Sequence, residues 1–179
     1  KNKRIHALLA YCRFMVIEPN GKRAIGNLEN IKTIMSGNTE KTGKNSITIN
    51  ISSDMLSDTT SDGQPKENSF SSTDLILSMS AALDYDKKNK KDTEVEKFIR
   101  KFESVCSSLS VTKNDNFGFY WEYYAPYFIE LHDKKFTKTF AYIVFASSDE
   151  KDVAKWIKSH DTEIADFYEW SKAFEWKSK

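Results

Sequence analysis

The sequence predicts a mainly α protein: an irregular bundle of about seven helices, broken by one long polar loop (37–72) that carries a short extended strand. Three observations lead there. Apolar residues recur at three and four positions over most of the chain. Only Ser46 to Ile51, SITINI, alternates strictly between apolar and polar. Phe117 to Phe145 then packs twelve of the 24 aromatic residues into 29 positions. Rings of this size dominate any core they join, so the other elements are read as partners of this stretch.

At 179 residues the chain suits one domain, divided into a helical hairpin (1–36), a polar loop or arm (37–72) and an aromatic-rich helical core (73–179). Residues 3–17 form the first helix, with Ile5, Leu8, Leu9, Cys12, Met15 and Val16 on its apolar face. Pro19-Asn20-Gly21 ends it. The second helix runs from Lys22 to Ser36, with Ala24, Leu28, Ile31 and Met35 at one face and Gly37 as its stop. The SITINI strand needs a ladder partner, and the flanking sequence shows no second strand. The remainder of the polar segment, up to Ser72, reads as a mobile loop.

Helical signal returns at Thr73, with Leu75, Ile76, Met79, Ala82 and Leu83 predicted to face inward. Thr93-x-x-Glu96 is a capping box, and Val95, Phe98, Ile99, Phe102, Cys106 and Leu109 mark the helix behind it. The aromatic stretch predicts a helix from about Asp115 to His132, which Pro126 should kink or break. Residues 136–146 are read as helix because their neighbours are helical; as a strand they would make the fold α+β. Ser147-x-x-Glu150 is a second capping box, opening a helix with Val153, Trp156 and Ile157 inward. Thr162 caps the last helix, whose face is Ile164, Phe167, Tyr168, Ser171 and Phe174. Trp121 and Trp156 stand about one helical repeat apart, but the tetratricopeptide pattern fails when either is set at its tryptophan position.

Net charge is +1, from 27 basic and 26 acidic residues. That balance argues against nucleic acid, which selects a basic excess. The lysines of 87–91 are bracketed by Asp84, Asp86 and Asp92, which cancel most of their field. No apolar run approaches the roughly 20 residues of a membrane span, and a soluble protein is expected. The chain opens at Lys1 rather than Met, which is read as a lost native N-terminus, so cytoplasmic and exported locations both fit. Cys12 and Cys106 each fall on an apolar helix face and read as reduced thiols, with a disulfide between them left open.

Catalytic and metal signatures are absent from the sequence. His6, His132 and His160 have no metal-ligand spacing, and no metal or cofactor is expected. Asp58 to Gly63 begins like a calcium loop but puts Ser69 at the bidentate position. Gly37 to Asn45 resembles a phosphate loop with the wrong length and no Ser or Thr after its lysine. Asn50-Ile51-Ser52 is a glycosylation sequon without a secretory context.

Consecutive helical positions are about 100° apart, so Tyr120, Trp121, Tyr123, Tyr124 and Tyr127 cannot all face inward. Tyrosine and tryptophan dominate interface hot spots. The sequence therefore favours a non-catalytic interaction module, engaging a partner protein or a second copy through these rings and the 46–51 strand. The alternative is an aromatic-lined small-molecule site, in a binding protein or an enzyme, with Glu122, Glu130 and His132 as its polar groups.

Overall fold

The computed structural model describes residues 3–43, 46–51 and 59–176. Residues 52–58, the first part of the segment expected to be a mobile loop, lie outside the described residues. So do Asn45 of the phosphate-loop resemblance, Ser52 of the sequon and Asp58 of the calcium-like loop.

Among the described residues are eight α-helices and one two-stranded antiparallel hairpin. Helices α1 (Arg4–Ile17) and α2 (Lys22–Met35) form the opening hairpin, and all ten residues assigned to their inner faces are buried. Gly37 ends α2 at φ +65°, a left-handed conformation that glycine adopts without strain. A Cβ at Gly37 would stand 2.6 Å from the Ala81 Cβ and 2.9 Å from the Ser78 Cα. The end of α2 therefore presses directly on α3 (Ser71–Ala82).

The SITINI strand has a partner after all. Strand β1 (Thr39–Lys41) pairs with β2 (Ile47–Ile49) in the register Thr39 to Ile49 and Lys41 to Ile47. Thr-Glu-Lys carries no apolar alternation, so nothing in its composition marks it as a strand. Bonds from Thr42 N to Ser46 O and from Asn50 N to Asn38 O flank the ladder. In this alternation Ile47 and Ile49 occupy non-hydrogen-bonded positions, so their main-chain groups point away from β1.

Helix α3 is turned from the expected orientation. Its buried residues are Ser71, Thr73, Asp74, Leu77, Ser78, Ser80 and Ala81, whereas Ile76, Met79 and Leu83 are exposed, Met79 at 54%. Small residues let α3 approach α4 (Glu94–Thr112), with hydroxyls meeting across the seam: Thr73 and Ser108 at 3.0 Å, Ser104 and Ser80 at 3.2 Å. The Thr93–Glu96 capping box opens α4 as expected. Asp84 pairs with Arg100 and Lys101, and Asp92 with Arg100. These carboxylates thus bind α4, and the exposed lysines 87, 88, 90 and 91 keep more of their field than the sequence suggests.

The aromatic helix begins at Phe119, four residues later than expected. It runs through one wide turn, Tyr120–Tyr124, into α5 (Ala125–Asp133). In that turn Ala125 N donates to Tyr120 O, five residues back rather than four. Such a turn inserts one residue into the helical ladder. Pro126 comes immediately after it, so its missing N–H falls where the regular ladder is already interrupted, and the helix continues without breaking.

Within 136–146 the chain forms a helix, α6 (Thr137–Val144), and not a strand. This short helix is the hub of the bundle, touching α1, α4, α7 (Lys151–Ser159) and α8 (Asp161–Ala173). Phe140 lies 4.9 Å from Phe102, 6.0 Å from Phe128 and 6.3 Å from Phe167, ring centre to ring centre. Fully burying one such side chain contributes about 1.5–3 kcal/mol. Helix α7 opens at Lys151 without the Ser147 box; residues 145–148 form a turn closed by Ser148 N on Phe145 O, which holds Ser147 away from the helix start. Helix α8 starts at Asp161, placing Thr162 inside rather than at its cap. Cys12 and Cys106 are both free and fully buried, and burial pushes both thiols up from their ordinary range.

Candidate binding face

The segment read as a mobile loop is fixed over its last residues to the aromatic helix. Thr59 bridges Pro65, and a turn at Gly63 brings the chain to Lys66. From there Asn68 N donates to Phe117 O at 2.8 Å, and Asn68 Oδ1 accepts from Tyr120 N at 2.7 Å. The first N–H groups of any helix lack internal acceptors, and here one of them is capped by a side chain 52 residues away. Trp121 Nε1 donates to Ser69 O at 2.7 Å while its ring stacks on Phe70 at 4.4 Å. Gly118 permits the approach: at φ +104°, a Cβ there would reach within 2.6 Å of Glu67 Cγ and 2.8 Å of Asn68 Cγ.

This clamp encloses a cleft of about 500 Å³. One wall is the first turn of α1 with Lys3, Arg4, Ile5 and His6. The other is Thr60 with the 65–71 segment, and Asp74 and Tyr120 complete the lining. On the cleft wall Arg4 Nη2 meets Asp74 Oδ1 at 2.7 Å and donates to Ser78 Oγ at 3.1 Å. The two charged side chains are 11% and 8% exposed. Arg4 Nε and Nη1 are buried and have no acceptor among the described residues. Desolvation pushes the Asp74 carboxyl up from its ordinary range, with Arg4 opposing the shift. His6 stands edge-on to Phe70 (5.0 Å) and Tyr120 (4.7 Å). Burial, aided by Lys3, lowers its pKa.

The residues nominated from sequence divide into three groups. Trp121 and Tyr127 are buried: Trp121 belongs to the clamp, and the Tyr127 hydroxyl hydrogen-bonds Ser171 at 2.7 Å beneath the Arg13 guanidinium. Tyr120, Tyr123 and Tyr124 are half-buried and form a ridge with Phe119, which is 38% exposed; Phe117, two residues before it, is 47% exposed. Within the ridge Phe119 stacks on Tyr123 at 5.2 Å and Tyr120 on Tyr124 at 5.3 Å, two pairs at i and i+4. Trp176 closes its far end, 4.7 Å from Tyr123. Desolvation raises the Tyr124 phenol.

The three polar candidates do not share a site. Glu122 is exposed and accepts from Gly118 N at 3.3 Å. Glu130 accepts from Trp170 Nε1 at 2.7 Å. His132 lies 3.7 Å from Asp133 at the end of α5. None of them lines the cleft. Sequence reading missed the α1 side of the face, Arg4 and His6, along with Asn68. The sequence holds four arginines, at 4, 13, 23 and 100, and nothing local sets Arg4 apart from the others. Compared with known proteins, the chain matches no family model, no curated protein and no solved structure.

Proposed function

We propose that the protein is a non-catalytic interaction module that holds a partner polypeptide on the aromatic ridge of Phe119, Tyr120, Tyr123 and Tyr124. One observation carries this reading: the rings of Phe119, Tyr120, Tyr123 and Tyr124 pack on one another at the surface while Trp121, Ala125, Phe128 and Ile129 of the same helix serve the core. Tyrosine supplies large contact area with little rotamer entropy to lose, and the stacked pairs and the Asn68 clamp hold the ridge in place before binding, which lowers the cost of association. The outward main-chain groups of Ile47 and Ile49 offer a second contact of the same kind, an uncharged strand edge.

Selection from a displayed library of random peptides tests this. Selected peptides are expected to lose at least tenfold in affinity against a Phe119→Ser, Tyr123→Ser variant whose melting temperature stays within a few degrees of the parent. Peptides that bind this variant unchanged but fail on Ile49→Pro would move the contact to the strand edge and overturn the ridge. A large loss of stability in the ridge variant would make the rings part of the core instead.

A further inference from the structure

Helix α3 turns an uncharged face outward. Asp74 is its one charged residue and is buried. Ile76, Met79 and Leu83, the last in the turn that continues the helix, are exposed. They stand at i, i+3 and i+7, adjacent on one face. Tyr85 extends this surface, exposed itself while its hydroxyl donates to Thr39 O on the neighbouring hairpin at 3.3 Å. Apolar side chains gathered in this way and edged by charge mark an interaction site.

The charge lies at the C-terminal end of the face. The loop that follows is pinned back on Leu83, whose carbonyl accepts from Asp86 N at 3.0 Å and from Asn89 Nδ2 at 2.8 Å. Asn89 is half-buried, while Lys87, Lys88, Lys90 and Lys91 around it are all exposed. Asp84 and Asp92 are held by Arg100 and Lys101. Counting those two partners, six cations stand against Asp84, Asp86 and Asp92. Of the carboxylates on adjoining elements, Glu94 is paired with Lys97, Glu96 accepts from Thr93 N, and Glu40 is followed by Lys41 in β1.

We propose that this face docks the protein on an anionic membrane surface. Ile76, Met79 and Leu83 enter the boundary between headgroups and acyl chains, and the lysines of 87–91 lie against the lipid phosphates and carboxylates. The choice of cation favours a membrane over a partner protein. All four are lysines, flexible point charges suited to a fluid layer of headgroups, whereas a fixed carboxylate on a protein is better gripped by the planar fork of arginine. This face shares no residue with the aromatic ridge and does not depend on it.

Co-sedimentation with vesicles tests the proposal, using phosphatidylcholine alone and phosphatidylcholine with phosphatidylserine at three to one. Saturable binding to the serine-containing vesicles is expected, at least tenfold weaker on phosphatidylcholine alone and weakening as salt rises. Lys87→Gln with Lys88→Gln is expected to lose about fivefold per lysine, and Met79→Glu at least tenfold. Tyr123→Ser, on the ridge, should bind as the parent does. Should Met79→Glu fail to fold, Ile76→Ser combined with Leu83→Ser takes its place, with a loss of at least fivefold expected. No binding to the serine-containing vesicles would overturn the proposal, as would equal binding to both kinds of vesicle or full affinity in the face variants. Loss with the lysine variant alone would reduce the contact to surface charge and overturn the insertion of α3. A dimer in sedimentation velocity that Met79→Glu dissolves, without vesicle binding, would overturn the membrane in favour of a second copy.

Discussion

His6 shows how one residue couples the cleft to pH. Its ring is packed between Phe70 and Tyr120, and burial holds its pKa below the ordinary 6.5. The unfolded chain therefore takes up the proton first as pH falls, and stability drops from pH 6.5 down through the folded value. Asp74 acts in the opposite sense: its carboxyl is raised from 3.8, so its burial costs nothing below 3.8 and increasingly more as pH rises through its folded value. Lys3 adds to the lowering of His6, and Arg4 opposes the rise of Asp74; Lys66 and Glu67 are the other charged side chains that line the cleft. Urea midpoints measured at pH 5.5 and 7.5 are expected to be lower at pH 5.5 in the parent protein. His6→Gln is expected to flatten that difference, and an unchanged slope would assign it to another group.

At the scale of elements, legibility in the sequence depended on the chemistry of the buried face. The inner faces of α1 and α2 are continuous apolar stripes, and each residue assigned to them is buried. In α4 only Ile99 of the assigned face is less than fully buried. Helix α3 defeats that logic, since its inner stripe is Ser, Thr and Ala with Leu77 and Asp74, chosen mostly for size and hydrogen bonding, while Ile76 and Met79 face outward. Periodicity registers hydrophobicity and cannot register closeness of approach. The rotation is testable: Met79→Ser should change stability by no more than about 0.5 kcal/mol, while Leu77→Ala should cost about 2–5 kcal/mol in chemical denaturation. The wide turn before Pro126 and strand β1 were hidden for related reasons. One depends on a single shifted hydrogen bond, and the other on a partner rather than on its own composition.

At the scale of the whole molecule, the aromatic stretch is the organising segment that its composition announced, with Phe128, Phe140 and Phe145 fully buried around α6. The candidate face was only partly visible. The tyrosines of the ridge lie close together in sequence and could be nominated as a group. The cleft assembles residues 3–6, 60, 65–71, 74 and 120, and no local pattern connects segments so far apart. The cap that Asn68 places on Tyr120 has a consequence in time as well as in space. It closes a loop of 52 residues, as does the neighbouring bond from Trp121 to Ser69. Chain closure over that distance is slow to be rewarded, whereas the helical hairpin and α4 can form from local contacts. The clamp should therefore lock after the rate-limiting step. Asn68→Ala is expected to cost about 1 kcal/mol and to show it almost entirely as faster unfolding, with the refolding rate nearly unchanged in stopped-flow traces. The cleft would then be the last part of the protein to take shape and the first to come apart.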